Sequence, residues 1–250
     1  MGRLSVVGIS RTSAREALST RVRRVRTVRR VPMGKVPVLL MLLFAAPAVA
    51  QTGSITGTIT TAAKGVAPVR VTIDQKVCGD QLPDEAIVVD GQGRLANAVV
   101  VLTGVKRQQP TEPMIVNEKC RFAPRVQLIA PKASVKTTSK DPILHTTNAQ
   151  LENGRTLFNV AVPVPGITIT KAIAAAGNVR VSCNTHPWMR GWMVVTTDAA
   201  AVSGADGRFT IDNVPPGTYE LRVWHEVLKG APQKVTVLGG KPTEITFSVR

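Results

Sequence analysis

Apolar and polar residues alternate over much of the chain after residue 52, with the two-residue period of β-strands that bury one face. The first such run, GSITGTITT, places Ile55, Gly57 and Ile59 on one side. We therefore expect an all-β protein, with a single helical turn at residues 171–175 as the only helix. The predicted strands are residues 53–61, 69–73, 86–89, 95–102, 125–129, 134–138, 157–162, 167–173, 178–183, 207–211, 219–223, 234–238 and 244–249.

Two of the intervening patterns refine this picture. The run at residues 95–102 is almost entirely apolar, as expected of a strand that is covered on both faces. Residues 107–113 are polar and contain two Pro, so they are predicted to form a linker or an exposed loop.

The chain shows no Ser-His-Asp pattern with usable context and no phosphate-binding Gly-rich loop, so we do not expect an enzyme.

The net charge of +16 is concentrated at the N-terminus. The first 50 residues hold ten basic residues and one acidic residue, Glu16, which leaves +9 there and +7 on the rest of the chain. The basic run at residues 21–26 precedes a targeting segment, so we expect no nucleic-acid partner. The moderate positive charge of the remainder suits docking to an acidic protein.

Residues 33–50 have the layout of a secretory signal peptide, with small residues ahead of a cleavage site after Ala50. The apolar stretch, residues 36–46, is shorter than the roughly 20 residues of a membrane-spanning helix. We predict that translation starts at Met33 and that residues 1–50 are a basic leader and signal peptide. The mature protein is then periplasmic or secreted, without a stable membrane span.

The sequence CNTHPWM carries the chemistry of a metal site. Cys183 offers a thiolate, His186 an imidazole and Met189 a thioether. Copper that cycles between two oxidation states favours this mixture, with one Cys and two His in a plane and a weak axial Met. Cys183 also continues the alternation of Val179 and Val181, so its side chain is predicted to face a dry core.

The second imidazole must come from another strand. His145 follows a polar strand and lies far enough before Cys183 for an intervening hairpin, so it is the predicted ligand. His225 is the rival, but it is in phase with apolar residues and is interpreted as a core His. Met193 could replace Met189 as the axial donor, although it lies in a predicted strand. Zinc is the competing metal, but a thioether is an unusual zinc ligand.

The remaining cysteines are Cys78 and Cys120. Export places the protein in an oxidising compartment, where paired thiols form disulfides. If Cys183 binds metal, the other two are left to pair, which accounts for the odd number of cysteines. We therefore predict a disulfide between Cys78 and Cys120, with three unpaired thiols as the alternative.

A Cys-x-x-His-x-x-Met motif preceded by a strand-end His resembles the cupredoxins, and the loop with His-Pro is most similar to plastocyanin and amicyanin. The resemblance covers roughly residues 115–196. The sequence departs from the family at Thr146, where an Asn usually braces the Cys loop, so we expect a weaker brace. The resemblance implies a Greek-key sandwich and one type 1 copper for outer-sphere electron transfer, with equatorial His145, Cys183 and His186 and axial Met189.

The GRFTI and PPGTYEL motifs of residues 207–221 resemble the end of a carboxypeptidase regulatory-like domain, a small Ig-like or prealbumin-like sandwich grouped with carbohydrate-binding modules. That family opens with a Gly-x-Ile-x-Gly-x-Ile strand, which residues 53–59 match. A tandem arrangement, with a longer cupredoxin first, is the alternative to an insertion. We predict the insertion: a discontinuous sandwich of residues 51–104 and 197–250, interrupted by a cupredoxin domain at residues 105–196.

The predicted function is that of an exported blue-copper protein that transfers single electrons between redox proteins. The alternative is a carbohydrate- or surface-binding module whose cupredoxin site is vestigial or stores copper. Sugar binding generally needs exposed aromatic rings, and we expect a spacer or docking role for the second module rather than glycan binding. Its four aromatic residues are Phe209, Tyr219, Trp224 and Phe247.

Overall fold

The computed structural model describes residues 51–250 apart from residue 175; the predicted leader, the start at Met33 and the cleavage after Ala50 lie outside the described residues. The all-β prediction is confirmed. Among the described residues, no helix is long and apolar enough to cross a bilayer. The elements are β1 (Gly53–Thr61), β2 (Val69–Arg70), α1 (Gln75–Cys78), β3 (Gln81–Leu82), β4 (Val99–Lys106), β5 (Met114–Glu118), β6 (Arg121–Ala123), β7 (Val126–Ile129), β8 (Ser134–Ser139), β9 (His145–Leu151), β10 (Thr156–Val162), β11 (Thr168–Ala172), β12 (Gly177–Ser182), β13 (Arg190–Val195), β14 (Asp198–Val202), β15 (Arg208–Val214), β16 (Gly217–Trp224), β17 (Gln233–Val237) and β18 (Pro242–Val249).

The middle of the chain forms one sandwich, here called the central sandwich. Its two sheets have the strand orders β10-β9-β12-β13-β7 and β11-β8-β5-β6. Most neighbours are antiparallel, but β7 runs parallel to β13 and β5 parallel to β8, which gives the crossed connections of a Greek key. The core between the sheets includes Phe122, Ile129, Val179, Val181 and Cys183.

Strands from both ends of the described chain form a second sandwich, here called the terminal sandwich. Its sheets have the orders β15-β1-β18 and β14-β4-β16-β17. The alternating side of β1 that was predicted to be buried is buried, with Ile55 and Ile59 fully inaccessible beside Phe247 of β18. Gly57 lies on the same side. A larger residue would not fit there, because its Cβ would overlap with the carbonyl oxygen of Ile245 and lie 2.8 Å from the Phe209 ring.

Strand β4 is covered on both faces, as its apolar run predicts. Val100 belongs to the core of the terminal sandwich. The next side chain back along the strand, Val99, points the other way and packs with Val126 and Val194 of the central sandwich. The two sandwiches therefore share an apolar contact that lies outside both cores.

A buried ion pair joins the sandwiches at this contact. Arg125, just before β7, pairs with Glu226, just after β16, and their side chains are only 6% and 9% exposed. Glu226 also accepts a 3.1 Å hydrogen bond from the indole N–H of Trp192, and Arg125 donates to the carbonyl oxygen of Arg190 at 2.9 Å. Because both charges are removed from water, each needs the other as a partner.

Three local predictions were wrong. Residues 86–89 do not form a strand, and only Val89 makes an isolated bridge, to Leu95. The strand predicted at 69–73 is reduced to β2. Residues 171 and 172 are not helical because they extend β11, which pairs with β8; the helix of the described residues is α1.

We expect the substitution Glu226→Ala to lower the free energy of unfolding by about 3 kcal/mol, because it leaves the Arg125 charge buried without its closest partner. Urea denaturation of the full chain measures the change. The control is Glu220→Ala, which removes an ion pair with the exposed Arg222 and is expected to cost less than about 1 kcal/mol. Equal losses in the two variants would contradict the assigned role of the buried pair.

The pairing of β1 with β15 and β18, and of β4 with β14 and β16, is the arrangement on which the predicted insertion depends. We propose the boundaries 51–104 and 197–250 around 105–196. Limited proteolysis is then expected to yield no folded fragment of residues 51–196, because β1 and β4 would lose these partners. A folded fragment of that length, identified by mass spectrometry and circular dichroism, would support the tandem alternative.

Candidate metal centre

Three of the predicted ligands lie close together at one end of the central sandwich. One ring nitrogen of His145, one of His186 and the sulfur of Cys183 all lie within 4.8 Å of one another. His145 is the first residue of β9, and Cys183 directly follows the antiparallel neighbour β12. Because the start of one antiparallel strand lies beside the end of the next, the two side chains lie at the same end of the sheet.

The loop after Cys183 is short and closed by hydrogen bonds. The backbone N–H of Met189 donates to the carbonyl oxygen of His186 at 2.9 Å, and that of Cys183 to the carbonyl oxygen of Met189 at 3.4 Å. Met189 is buried in the same apolar cluster as Cys183. The loop therefore places Met189, the predicted axial donor, in the same buried apolar cluster as Cys183.

The orientation of His145 is set by Asp141. Its Nε2 lies 3.0 Å from the Asp141 carboxylate. An ionised carboxylate can only accept a hydrogen bond, so this contact holds the proton on Nε2 and leaves the lone pair on Nδ1. That Nδ1 is buried and has no hydrogen-bond partner among the described residues. A bound metal ion would satisfy it, so the donor set fits a metal.

His186 repeats this arrangement with a different carboxylate. Its Nε2 lies 3.0 Å from the carboxylate of Asp74, and its Nδ1 lies 3.6 Å from the sulfur of Cys183. Asp74 immediately precedes α1 and is 112 residues away in sequence. His186 thus turns Nδ1 toward the thiol, and both imidazoles turn Nε2 toward an acidic side chain.

Backbone groups fix the Asp141 carboxylate. It accepts the N–H of Lys119 at 2.7 Å and that of Cys120 at 2.8 Å. Both residues have left-handed backbone, with φ of 52° and 56°, which points their consecutive N–H groups at the same anion. The carboxylate beside His145 is therefore held in place before any metal binds.

Cys78 and Cys120 form a disulfide that lies beside the centre. Cys78 ends α1, and Cys120 is one of the two residues whose backbone N–H donates to the Asp141 carboxylate. The indole N–H of Trp188 donates to the carbonyl oxygen of Cys120 at 3.2 Å, and its ring lies 5.2 Å from that of His186. The predicted disulfide pair and the predicted ligands thus belong to one contiguous cluster.

The expectation of a weaker brace at Thr146 is corrected by its contacts. Its backbone N–H and its hydroxyl approach the Cys183 sulfur at 3.3 Å and 3.6 Å. The same hydroxyl accepts the N–H of Asn184 at 2.7 Å. A hydroxyl on a β-branched side chain therefore ties β9 to the start of the Cys loop, in the place where an amide was expected.

These contacts stabilise the thiolate form of Cys183. Burial raises the pKa of the thiol, but the contacts with the His145 ring, with the backbone N–H and hydroxyl of Thr146 and with the backbone of His186 outweigh that effect. The pKa falls from 9.0 to about 5. The side chain is thus ionised at neutral pH, as a metal-ligating thiol must be.

The two rival donors lie outside the loop of residues 183–189. His225 is buried in the terminal sandwich, where its Nδ1 accepts the backbone N–H groups of Val227 and Leu228 at 3.3 Å and 3.2 Å. Burial lowers the pKa of this imidazole, which suits its role as a neutral acceptor. Met193 is fully buried in the middle of β13.

The four aromatic residues of the terminal sandwich are engaged in packing. Phe209 and Phe247 are core residues. The Tyr219 hydroxyl donates to the carbonyl oxygen of Pro215 at 2.9 Å, and Trp224 packs edge-on against Trp192 with ring centroids 5.2 Å apart. None of these four rings is among the exposed large apolar side chains of the described residues, so they offer no support for sugar stacking.

Sequence reasoning missed the roles of Asp74 and Asp141. Asp141 could have been found, because a carboxylate four residues before a candidate ligand can reach its ring. Asp74 gives no such sign, since its contact with His186 depends on how distant parts of the chain pack.

Comparisons with known proteins found similar solved structures and one family model. No curated protein matches the chain. Solved structures with similarity to it include a purple cupredoxin from Nitrosopumilus maritimus, at 21% identity, with 34% of this chain and 99% of that one covered and a TM-score of 0.30. A copper-containing nitrite reductase from Thermus scotoductus is 19% identical over 38% of this chain and 24% of its own, with a TM-score of 0.29. A reduced Cu(I) form of an amicyanin variant is 13% identical over 39% of this chain and 98% of its own, with a TM-score of 0.30.

One family model also matches. The match begins within β10, which pairs in the central sandwich, and continues to the end of β18. Residues 161–250 are thus similar to the carboxypeptidase regulatory-like domain family.

Proposed function

We propose that the protein is an exported, mononuclear type 1 copper protein that transfers single electrons. The observation that supports this most directly is that the Cys183 sulfur, one ring nitrogen of His145 and one of His186 lie within 4.8 Å of one another, and that all three side chains are buried. Copper bound by one thiolate and two imidazoles supplies one-electron chemistry. Met189 is the proposed axial donor.

The chain's part in this function is to hold the donors still. Backbone N–H groups and carboxylates fix both imidazoles, and Thr146 fixes the thiolate, so the donor atoms have little freedom to move when an electron arrives or leaves. The apolar cluster around Cys183 and Met189 keeps water away from the same atoms.

Electron transfer suits this pocket better than catalysis at the metal. Catalytic metal sites keep an open position for water or substrate. Here the four proposed donors, His145, Cys183, His186 and Met189, are each at most 4% exposed. A buried donor set supports a protein that exchanges electrons with a partner and does not bind a substrate at the metal.

The proposed location and partners follow from the disulfide and the charge. The Cys78–Cys120 disulfide suits an oxidising compartment, in keeping with the predicted export. Residues 51–250 carry +7, so redox proteins with an acidic docking surface are the proposed partners.

We expect metal-free protein of residues 51–250 to take up one Cu(II) per chain and to develop an intense visible band from thiolate-to-copper charge transfer. Cys183→Ser should abolish the band because a hydroxyl replaces the thiolate. His225→Gln is the matched control and should keep the band, since His225 lies in the terminal sandwich. Absorption spectroscopy during copper titration makes the measurement, and a colourless wild-type protein or a coloured Cys183→Ser variant would contradict the proposal.

In the metal-free protein we expect Cys183 to titrate with a pKa of about 5. The folded-state value lies below that of the unfolded chain, so this group stabilises the fold above the unfolded pKa, and the contribution is lost as the pH falls through about 5. Thr146→Val, which removes the hydroxyl but keeps the backbone N–H contact with the sulfur, should raise the pKa. Ultraviolet thiolate absorption against pH measures both; a pKa near 9.0 in the wild type would show that these contacts do not stabilise the thiolate.

A further inference from the structure

The segment between β1 and β4 extends from the terminal sandwich to the metal centre. We call residues 69–82 the cap segment. Its base is the two-stranded pairing of β2 with β3, in which Val69 faces Leu82 and Arg70 faces Gln81. Its tip carries Asp74 and α1, and a disulfide from Cys78 fastens the tip to the central sandwich.

The backbone at the tip is arranged around Asp74. This residue has left-handed φ and ψ of 55° and 31°, a conformation that Asp tolerates better than most side chains. Its carbonyl oxygen accepts the N–H groups of Val77 and Cys78 at 2.9 Å and 3.0 Å. The Gln75 side-chain amide donates to the carbonyl oxygen of Val71 at 2.9 Å, which closes the tip onto its own base.

Asp74 lies between His186 and solvent. The His186 side chain is fully inaccessible, whereas that of Asp74 is 36% exposed. The carboxylate is the polar partner of Nε2 in the structure, at 3.0 Å. On the other side of the ring, Nδ1 lies 3.6 Å from the Cys183 sulfur. Without Asp74, a proton on Nδ1 could donate to the thiolate and block the metal-binding lone pair.

We propose that Asp74 is a positioning residue for His186, supplied by the cap segment from outside the central sandwich. Its carboxylate holds the ring proton on Nε2 and thereby keeps Nδ1 free for the metal. The inference rests on the proposed copper site, but the contact itself exists in the metal-free protein. It also gives the terminal sandwich a defined role, which is to complete the surroundings of a ligand.

The first test uses metal-free protein and reads the His186 tautomer from imidazole 15N chemical shifts. We expect the proton on Nε2 in the wild type and a shift of the proton toward Nδ1 in Asp74→Ala, because the nearest remaining acceptor is the thiolate. Asp80→Ala is the matched control, since Asp80 lies in the same cap segment and its carboxylate is exposed. An unchanged tautomer in Asp74→Ala would overturn the proposal.

The second test measures Cu(II) affinity by competition with a chelator of known affinity. Loss of a partner of this kind weakens metal binding by roughly 10- to 100-fold, which is the loss expected for Asp74→Ala. Asp74→Asn keeps an oxygen acceptor, so it should bind Cu(II) more tightly than Asp74→Ala does. The reduction potential of copper bound to Asp74→Asn should be higher than in the wild type, because a negative charge near the oxidised metal is lost. Equal affinity in the wild type and Asp74→Ala would overturn the proposal.

The two tests separate this inference from the copper proposal. If the wild type binds no copper but the tautomer changes in Asp74→Ala, the copper site as proposed fails and the positioning of His186 stands. If copper binds but neither readout responds to Asp74, the positioning role fails and the copper site stands. Should Asp74→Ala not fold, Asp74→Asn carries both measurements, with loss of the charge expected to weaken the preference for Nε2.

Discussion

Two carboxylate–imidazole contacts are the constraint on which the metal centre depends. Each one fixes a proton on Nε2 and leaves the lone pair on Nδ1, and the Nδ1 of His186 lies 3.6 Å from the Cys183 sulfur. The carboxylates come from different parts of the chain, yet both are anchored at the same disulfide. Cys120 binds Asp141 through its backbone N–H, and Cys78 ends the short helix that begins after Asp74. One covalent bond therefore supports the carboxylate partners of both imidazoles.

This arrangement makes the two sandwiches interdependent. The cap segment that holds Asp74 against His186 belongs to the terminal sandwich, so docking of that sandwich on the central one supports the same contact as the disulfide does. Docking rests on the apolar contact around Val99 and on the buried pair of Arg125 and Glu226, whose geometry Trp192 completes. The contact that joins the two sandwiches thus also helps to preserve the orientation of His186.

Much of the site could be predicted because its donor residues are chemically rare and strand phase is easy to read. Cys183 continues the buried side of Val179 and Val181, and it lies there in the structure. Strand β9 was harder to predict because two of its buried positions are polar. His145 binds Asp141, and the Thr147 hydroxyl lies 2.8 Å from that of Thr137, so side-chain hydrogen bonds replace the apolar residues that mark a strand. The role of Asp74 could not be predicted, since no local pattern joins it to a loop 112 residues away.

Chain topology explains how a segment from one sandwich reaches the site of the other. The cap segment leaves β1 and returns to β4, both in the terminal sandwich, and β4 then leads directly to β5 of the central one. The terminal sandwich contacts the central one through Val99, Val126 and Val194, and the cap segment reaches the central one at Cys120. A family match that runs continuously over residues 161–250 does not include β1, although β1 pairs with β15 and β18. The partners of β1 are thus far from it in sequence, and only the folded structure shows which strands pair. The same holds for the contact between Asp74 and His186.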